Sequence, residues 1–126
     1  MDETPTTLYD LVGGEAWFVD LVDRFYDGVE ADPVLRPLYP DDLTESRGHM
    51  TGFLVQYWGG PGTYSEQRGH PRLRMRHQPF AVTPEARDHW LQHMRAALDT
   101  LDLSPLHESM LWDYLERAAH AMVNAE

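Results

Sequence analysis

The sequence predicts an all-α protein, on three observations. Apolar residues recur at helical three/four spacing along nearly the whole chain. No segment alternates as a half-buried strand would, and proline or glycine stands wherever the helical spacing breaks. The 126 residues, 42% hydrophobic and 11% aromatic, are enough for one buried core and are expected to form a single domain over 1–126.

The elements follow in order. After Gly13-Gly14, the residues Phe18, Leu21, Val22, Phe25, Tyr26 and Val29 form one stripe of an amphipathic helix. Pro33, Pro37 and Pro40 then interrupt the chain in "ADPVLRPLYPDD". A second helix is expected from about Thr44 to Trp58, with Ser46, Met50, Phe53, Leu54 and Tyr57 on one face. It ends at Gly59-Gly60-Pro61, where glycine caps and proline cannot continue. A long polar loop to about Pro71 precedes a short turn of helix carrying His77. Thr83-Pro84-Glu85 starts the next helix, with threonine as cap and proline in the first turn. Its stripe is Trp90, Leu91, Met94, Ala97, Leu98 and Leu101. Ser104-Pro105 repeats the signal, opening a last helix with Leu106, Met110, Leu111, Tyr114, Leu115, Ala118 and Met122 inward. The long loop is the anomaly, because structureless stretches of that length in compact domains tend to be functional.

Charge and composition exclude several classes. A net charge of −11 argues against nucleic acid and against an anionic membrane surface as partners. With no cysteine there is no disulfide, thiol nucleophile or sulfur-ligated metal. The opening "MDETPTT" is acidic and polar rather than a signal sequence, and no apolar run approaches the ~18 residues of a membrane span. The expected location is the cytoplasm.

Most local motifs for chemistry fail. His89 and His93 stand four apart, as metal-binding pairs do, but Trp90 occupies the place where zinc peptidases carry glutamate. Both histidines sit off the apolar stripe, so a solvated face is the expectation, and zinc would require a third ligand converging on them. His49, His107 and His120 are isolated, and His70 lies in the long loop before a proline. There is no G-x-S-x-G elbow, and "GGPGTY" follows a helix instead of opening one. The 21 acidic residues offer no distinctive carboxylate pair. Tyr26, Tyr39 and Trp90 carry polar atoms that need partners when buried. On spacing alone, ordinary core aromatics bonded to backbone carbonyls are the favoured reading.

His77 differs in its company. Four of the ten arginines fall between Arg68 and Arg76, in "RGHPRLRMRHQPF". An iron porphyrin requires a neutral imidazole on one face, a cationic rim for two propionates and an apolar slot. "RLRMRH" supplies the first two, and arginine's planar fork suits carboxylates. An all-α interior lined by Met, Leu and Phe could supply the slot.

The residues also resemble a known family, the truncated haemoglobins of the second group (O-type), over nearly the whole chain. The resemblance lies in "LYDLVGG", "RFYDGV", "ADPVLRPLYP", "QYWGGPGTYSEQRGHPRLRMRHQPF" and "RDHWLQHM". It implies a shortened globin fold, a two-over-two helical sandwich around haem b (iron protoporphyrin IX), with His77 as the proximal iron ligand. It matches Trp90, Tyr39 and Tyr26 to the distal polar cluster and Ser46 to the distal gate, with Met50 one turn further in. Alanine and leucine usually occupy those last two places in the family, so gating and ligand entry are what the resemblance carries over least. Phe53 and Leu54 are expected to pack on the porphyrin, Leu73, Met75 and Phe80 to line the proximal side, and Met94 the deeper pocket. Arg76 and Tyr64 are the expected propionate partners. Arg68, Arg72 and Arg74 either join that rim or hold the loop by pairing with acids.

The function implied is reversible binding of O2 and other small diatomic ligands at a five-coordinate iron, kept ferrous by an unidentified reductase. A haem redox enzyme, oxidising nitric oxide or using peroxide, is the alternative. Outside that class stands a helical interaction domain, which predicts a colourless protein whose core closes over Trp90. Exposed apolar runs are sparse, yet related proteins often pair, so a homodimer stays open.

Overall fold

The computed structural model describes residues 7–126; the acidic opening stretch read above lies largely outside them. Seven α-helices account for the fold among the described residues: α1 Leu8–Leu11, α2 Glu15–Glu30, α3 Thr44–Tyr57, α4 Thr63–Arg68, α5 Leu73–His77, α6 Pro84–Asp99 and α7 Pro105–Met122. A short 3-10 turn, Arg36–Leu38, lies in the proline-rich corner. No strand occurs among the described residues.

The sequence signals set the ends of the long helices. Thr83 Oγ1 accepts the Ala86 N–H at 3.0 Å, with Pro84 in the first turn. Ser104 caps α7 in the same way through the His107 N–H. The end of α3 requires glycine for two reasons. Gly59 has φ of 106°, and a Cβ there would lie 2.4 Å from the Thr7 side chain. Close by, the Tyr9 N–H donates to the Trp58 carbonyl and ties α1 to the end of α3.

Two helix pairs make the body. α2 packs against α3 and α6, and α6 packs against α7. Phe18, Leu21, Val22, Phe25 and Val29 of α2 meet Met94 and Leu98 of α6 and Leu111 of α7, all essentially inaccessible to water. Each such side chain contributes roughly 1.5–3 kcal/mol on burial, which outweighs any propensity term in these helices.

Three expectations are corrected. The long loop is not structureless, because α4 forms inside it. The Gln56 side chain both donates to Ser65 Oγ and accepts the Ser65 N–H, and Tyr64 is buried. Leu106 and Met110, expected inward, are 68% and 51% exposed. Helical spacing defines a face, and the face of α7 begins before there is a partner to cover it. Finally, of the two roles open to Arg68, Arg72 and Arg74, pairing with acids falls away, since none of them occurs among the ion pairs of the described residues. Arg76 holds the loop by donating to the Pro71 and Arg68 carbonyls at 2.7 and 2.9 Å.

Candidate functional site

The side chains singled out in the sequence surround one cavity of about 480 Å³, within the range of roughly 300–1,000 Å³ usual for cofactor pockets. Tyr26, Tyr39, Ser46, Met50, Phe53 and Leu54 line it from α2, the corner and α3. Tyr64, Leu73, Arg76, His77, Phe80 and Trp90 complete it from the opposite elements. Met94 does not: it is fully buried in the α2–α6 core and lines no part of the cavity. Met75, 52% exposed, also points elsewhere. Nor does the core close over Trp90, as a cofactor-free interaction domain would require.

The walls carry apolar surface that the protein itself does not cover. α5 has no buried residue, Phe80 is 45% exposed, and Met50 and Phe53 of α3 are only partly buried. Such surface around a cavity calls for an apolar occupant.

On one wall stands His77. Its Nδ1 lies 2.7 Å from the Leu73 carbonyl oxygen. A carbonyl only accepts, so Nδ1 carries the proton and Nε2 keeps its lone pair, as in a metal-ligating histidine. The segment is fixed from behind by Asn124, a residue no local sequence signal marks. Asn124 Nδ2 donates to the His77 carbonyl at 3.1 Å, and Asn124 Oδ1 accepts the Val82 N–H at 2.9 Å. Arg72, which precedes α5, holds a left-handed backbone with φ of 46°, a strained conformation for a residue with a side chain.

Opposite lie the polar aromatics. The Tyr26 hydroxyl donates to the Ser46 carbonyl at 3.4 Å, and the Tyr26 and Tyr39 rings meet edge-on at 5.6 Å. Trp90 packs on Phe25, 5.2 Å between ring centres. Burial pushes the Tyr39 phenol up to about 12, offset in part by the approaching Trp90 indole N–H. Burial and then the neighbouring Tyr39 push Tyr26 higher still. Both phenols therefore stay protonated and able to donate.

The rim is basic. Arg68 and Arg76 stand over the buried Tyr64 ring, 5.9 and 6.0 Å from its centre. His49, isolated in the sequence, lines the cavity, and its Nε2 accepts from Arg68 at 2.7 Å. Burial first, then the Arg68 charge, holds its pKa below the ordinary histidine value. Small residues of α7, Ala118 and Ala119, leave room for the cavity floor, which periodicity alone could not reveal.

His89 and His93 are not a solvated face. His89 Nδ1 and His93 Nε2 both donate to Asp32 Oδ2, at 2.8 and 2.6 Å, and Asp32 is buried. A buried carboxylate must find donors, and these imidazoles supply them. No group of three ligands among the described residues is arranged to hold a metal ion.

Comparison with known proteins bears on the family and the fold. The bacterial-like globin family matches residues 7–124. A group 2 truncated haemoglobin, YjbI of Bacillus subtilis, is 45% identical over 111 residues, 88% of this chain and 84% of that protein. The X-ray structure of a thermostable haemoglobin from the actinobacterium Thermobifida fusca superposes with a TM-score of 0.92 at 58% identity, covering 94% of this chain and 98% of that one. A truncated oxygen-avid haemoglobin from Bacillus subtilis gives a TM-score of 0.89 at 43% identity, covering 94% and 100%.

Proposed function

Because the chain belongs to the bacterial-like globins and, within them, to the group 2 truncated haemoglobins, we propose that it is a haem b protein that binds O2 and other small diatomic molecules reversibly. The observation that carries this reading is the placement of His77, its Nδ1 proton committed to Leu73, across one cavity from the donors Trp90 and Tyr39.

The residues present fit a porphyrin. Leu73, Phe80, Met50 and Phe53 offer it apolar walls, while Arg68, Arg76 and Tyr64 offer a basic rim for two propionates. His77 Nε2 is the nitrogen left to hold iron. Haem, when bound, supplies an iron with one position open to a diatomic ligand. The protein supplies the surroundings of that position. Trp90 Nε1 and the Tyr39 hydroxyl are donors for a ligand that gains negative charge on binding. The Tyr26 hydroxyl is spent on the Ser46 carbonyl and orients Tyr39 through their edge-on contact. Each donor contributes roughly 0.5–1.5 kcal/mol net, so the two together slow ligand release by about tenfold to a hundredfold. That describes a tight, slowly releasing site, in keeping with the "oxygen-avid" description of the Bacillus subtilis protein.

An absorption spectrum of the purified protein, before and after dithionite and then carbon monoxide, tests the reading together with His77→Ala. A Soret band that moves with carbon monoxide and is lost or altered in the variant is expected. A protein that stays colourless with added haemin would overturn it.

A further inference from the structure

Asp32, His89 and His93 take no part in the reading above, although they form a polar cluster around a buried carboxylate. We propose that they are a positioning latch, which sets where Trp90 and Tyr39 stand over the cavity. The proposal rests on the preceding reading for what those two donors do.

Both oxygens of Asp32 are engaged, and each holds a different part of the distal wall. Oδ1 accepts the Val34 and Leu35 N–H groups at 2.8 and 3.2 Å, which fixes the corner leading through Leu35 and Leu38 to Tyr39. Oδ2 accepts from His89 and His93, the two residues of α6 that bracket Trp90. One carboxylate thus joins the segment carrying Tyr39 to the helix carrying Trp90. α2, which carries Tyr26, is drawn in through Gly28, where a Cβ would stand 2.4 Å from His93 Nδ1.

Apolar contact alone could hold these elements together, but it would not fix their register. Hydrogen bonds are directional, and a buried carboxylate tolerates the loss of none of its donors cheaply. Each neutral imidazole supplies the single N–H required, so the latch holds without a protonated histidine. Small displacements matter here, because a donor set about 1 Å out of place loses most of its effect.

The test uses the haem-loaded ferrous protein with carbon monoxide bound and 15N-labelled tryptophan. The indole N–H resonance of Trp90, identified by its loss in Trp90→Phe, is recorded beside the C–O stretching band. Asp32→Ala and His93→Ala are expected to move the resonance and to shift or split the band. Asp32→Asn should preserve both, since its oxygen can still cap Val34 and Leu35 while its amide donates to both imidazoles in their other tautomers. Leu111→Ala opens the core away from the cavity and should lower stability without moving either signal. An unmoved resonance and band in His93→Ala, or the same changes in Leu111→Ala, would refute the latch. Should the protein show no carbon monoxide band at all, the haem reading fails separately, and the indole resonance of the protein as isolated still decides the latch.

Discussion

The Nδ1 nitrogen of His77 lies 2.7 Å from the carbonyl oxygen of Leu73, one helical turn back on the same five-residue helix. The orientation of this imidazole is therefore set within α5, while Asn124 ties the end of α5 to the segment that follows it. Asn124→Ala removes its bonds to His77 and Val82. At about 0.5 kcal/mol for each of these two exposed bonds, haem loss to a scavenging apoglobin should accelerate about fivefold. An unchanged rate would show that α5 is held without it.

Trp90→Phe keeps the packing on Phe25 and removes one donor from the cavity. Oxygen dissociation measured by stopped flow should quicken by about twofold to tenfold, the equivalent of one hydrogen bond. Tyr39→Phe should act in the same direction, and a rate unaffected by both changes would remove the distal donors from the mechanism.

Stability should fall at both ends of the pH scale, for opposite reasons. Tyr39 and Tyr114 are pushed up from 10.0 to about 12 by burial, so the folded state binds their protons more tightly. Their contribution is complete below pH 10 and is lost as pH rises toward 12. Asp32 moves the other way. Burial would raise its pKa, but the bonds from His89, His93, Val34 and Leu35 outweigh that and hold it well below 3.8. Its contribution is present above 3.8 and drains away as pH drops below that value. Urea midpoints measured against pH should show both limbs, and Asp32→Asn should flatten only the acidic one.

Gly28→Ala forces a methyl group into the His93 imidazole. Overpacking of this sort costs about 1–3 kcal/mol, so the thermal midpoint should drop. The cost should largely vanish when Gly28→Ala is combined with His93→Ala. Additive losses in the double variant would show that the two residues do not meet as described.

Met94→Ala separates core from cavity. Met94 is fully buried yet lines no part of the cavity. Truncation should cost about 2–5 kcal/mol of stability while the Soret maximum of the haem-loaded protein stays in place. A displaced Soret band would return Met94 to the haem environment.

The four long helices were legible because their apolar stripes and the Thr83 and Ser104 caps are local signals. All the candidate site residues but Met94 and Met75 converge for a similar reason, since spacing places Ser46, Met50 and Phe53 on one side of α3 and the resemblance supplied the rest. What escaped was non-local. α4 depends on Gln56 bracketing Ser65, a pairing of side chain and backbone that no periodicity encodes. His89 and His93 were misread because their partner, Asp32, lies 57 and 61 positions away. Leu106 and Met110 were misread because a stripe says nothing about how far the covering element extends.

The lack of any buried residue in α5 has a consequence for how the molecule comes apart. The contacts among α2, α6 and α7 enclose a core that needs nothing from outside, so amide protons there should exchange only on global unfolding. The segment from Arg72 to Phe80 has no such reserve. Its own interior share is small, and its backbone begins from a strained residue, Arg72. It should therefore open before the helical core and order after it, and whatever fills the cavity becomes its missing half. Amide exchange and proteolytic cleavage in that segment should therefore track occupancy of the cavity, while the rest of the molecule scarcely registers whether it is full.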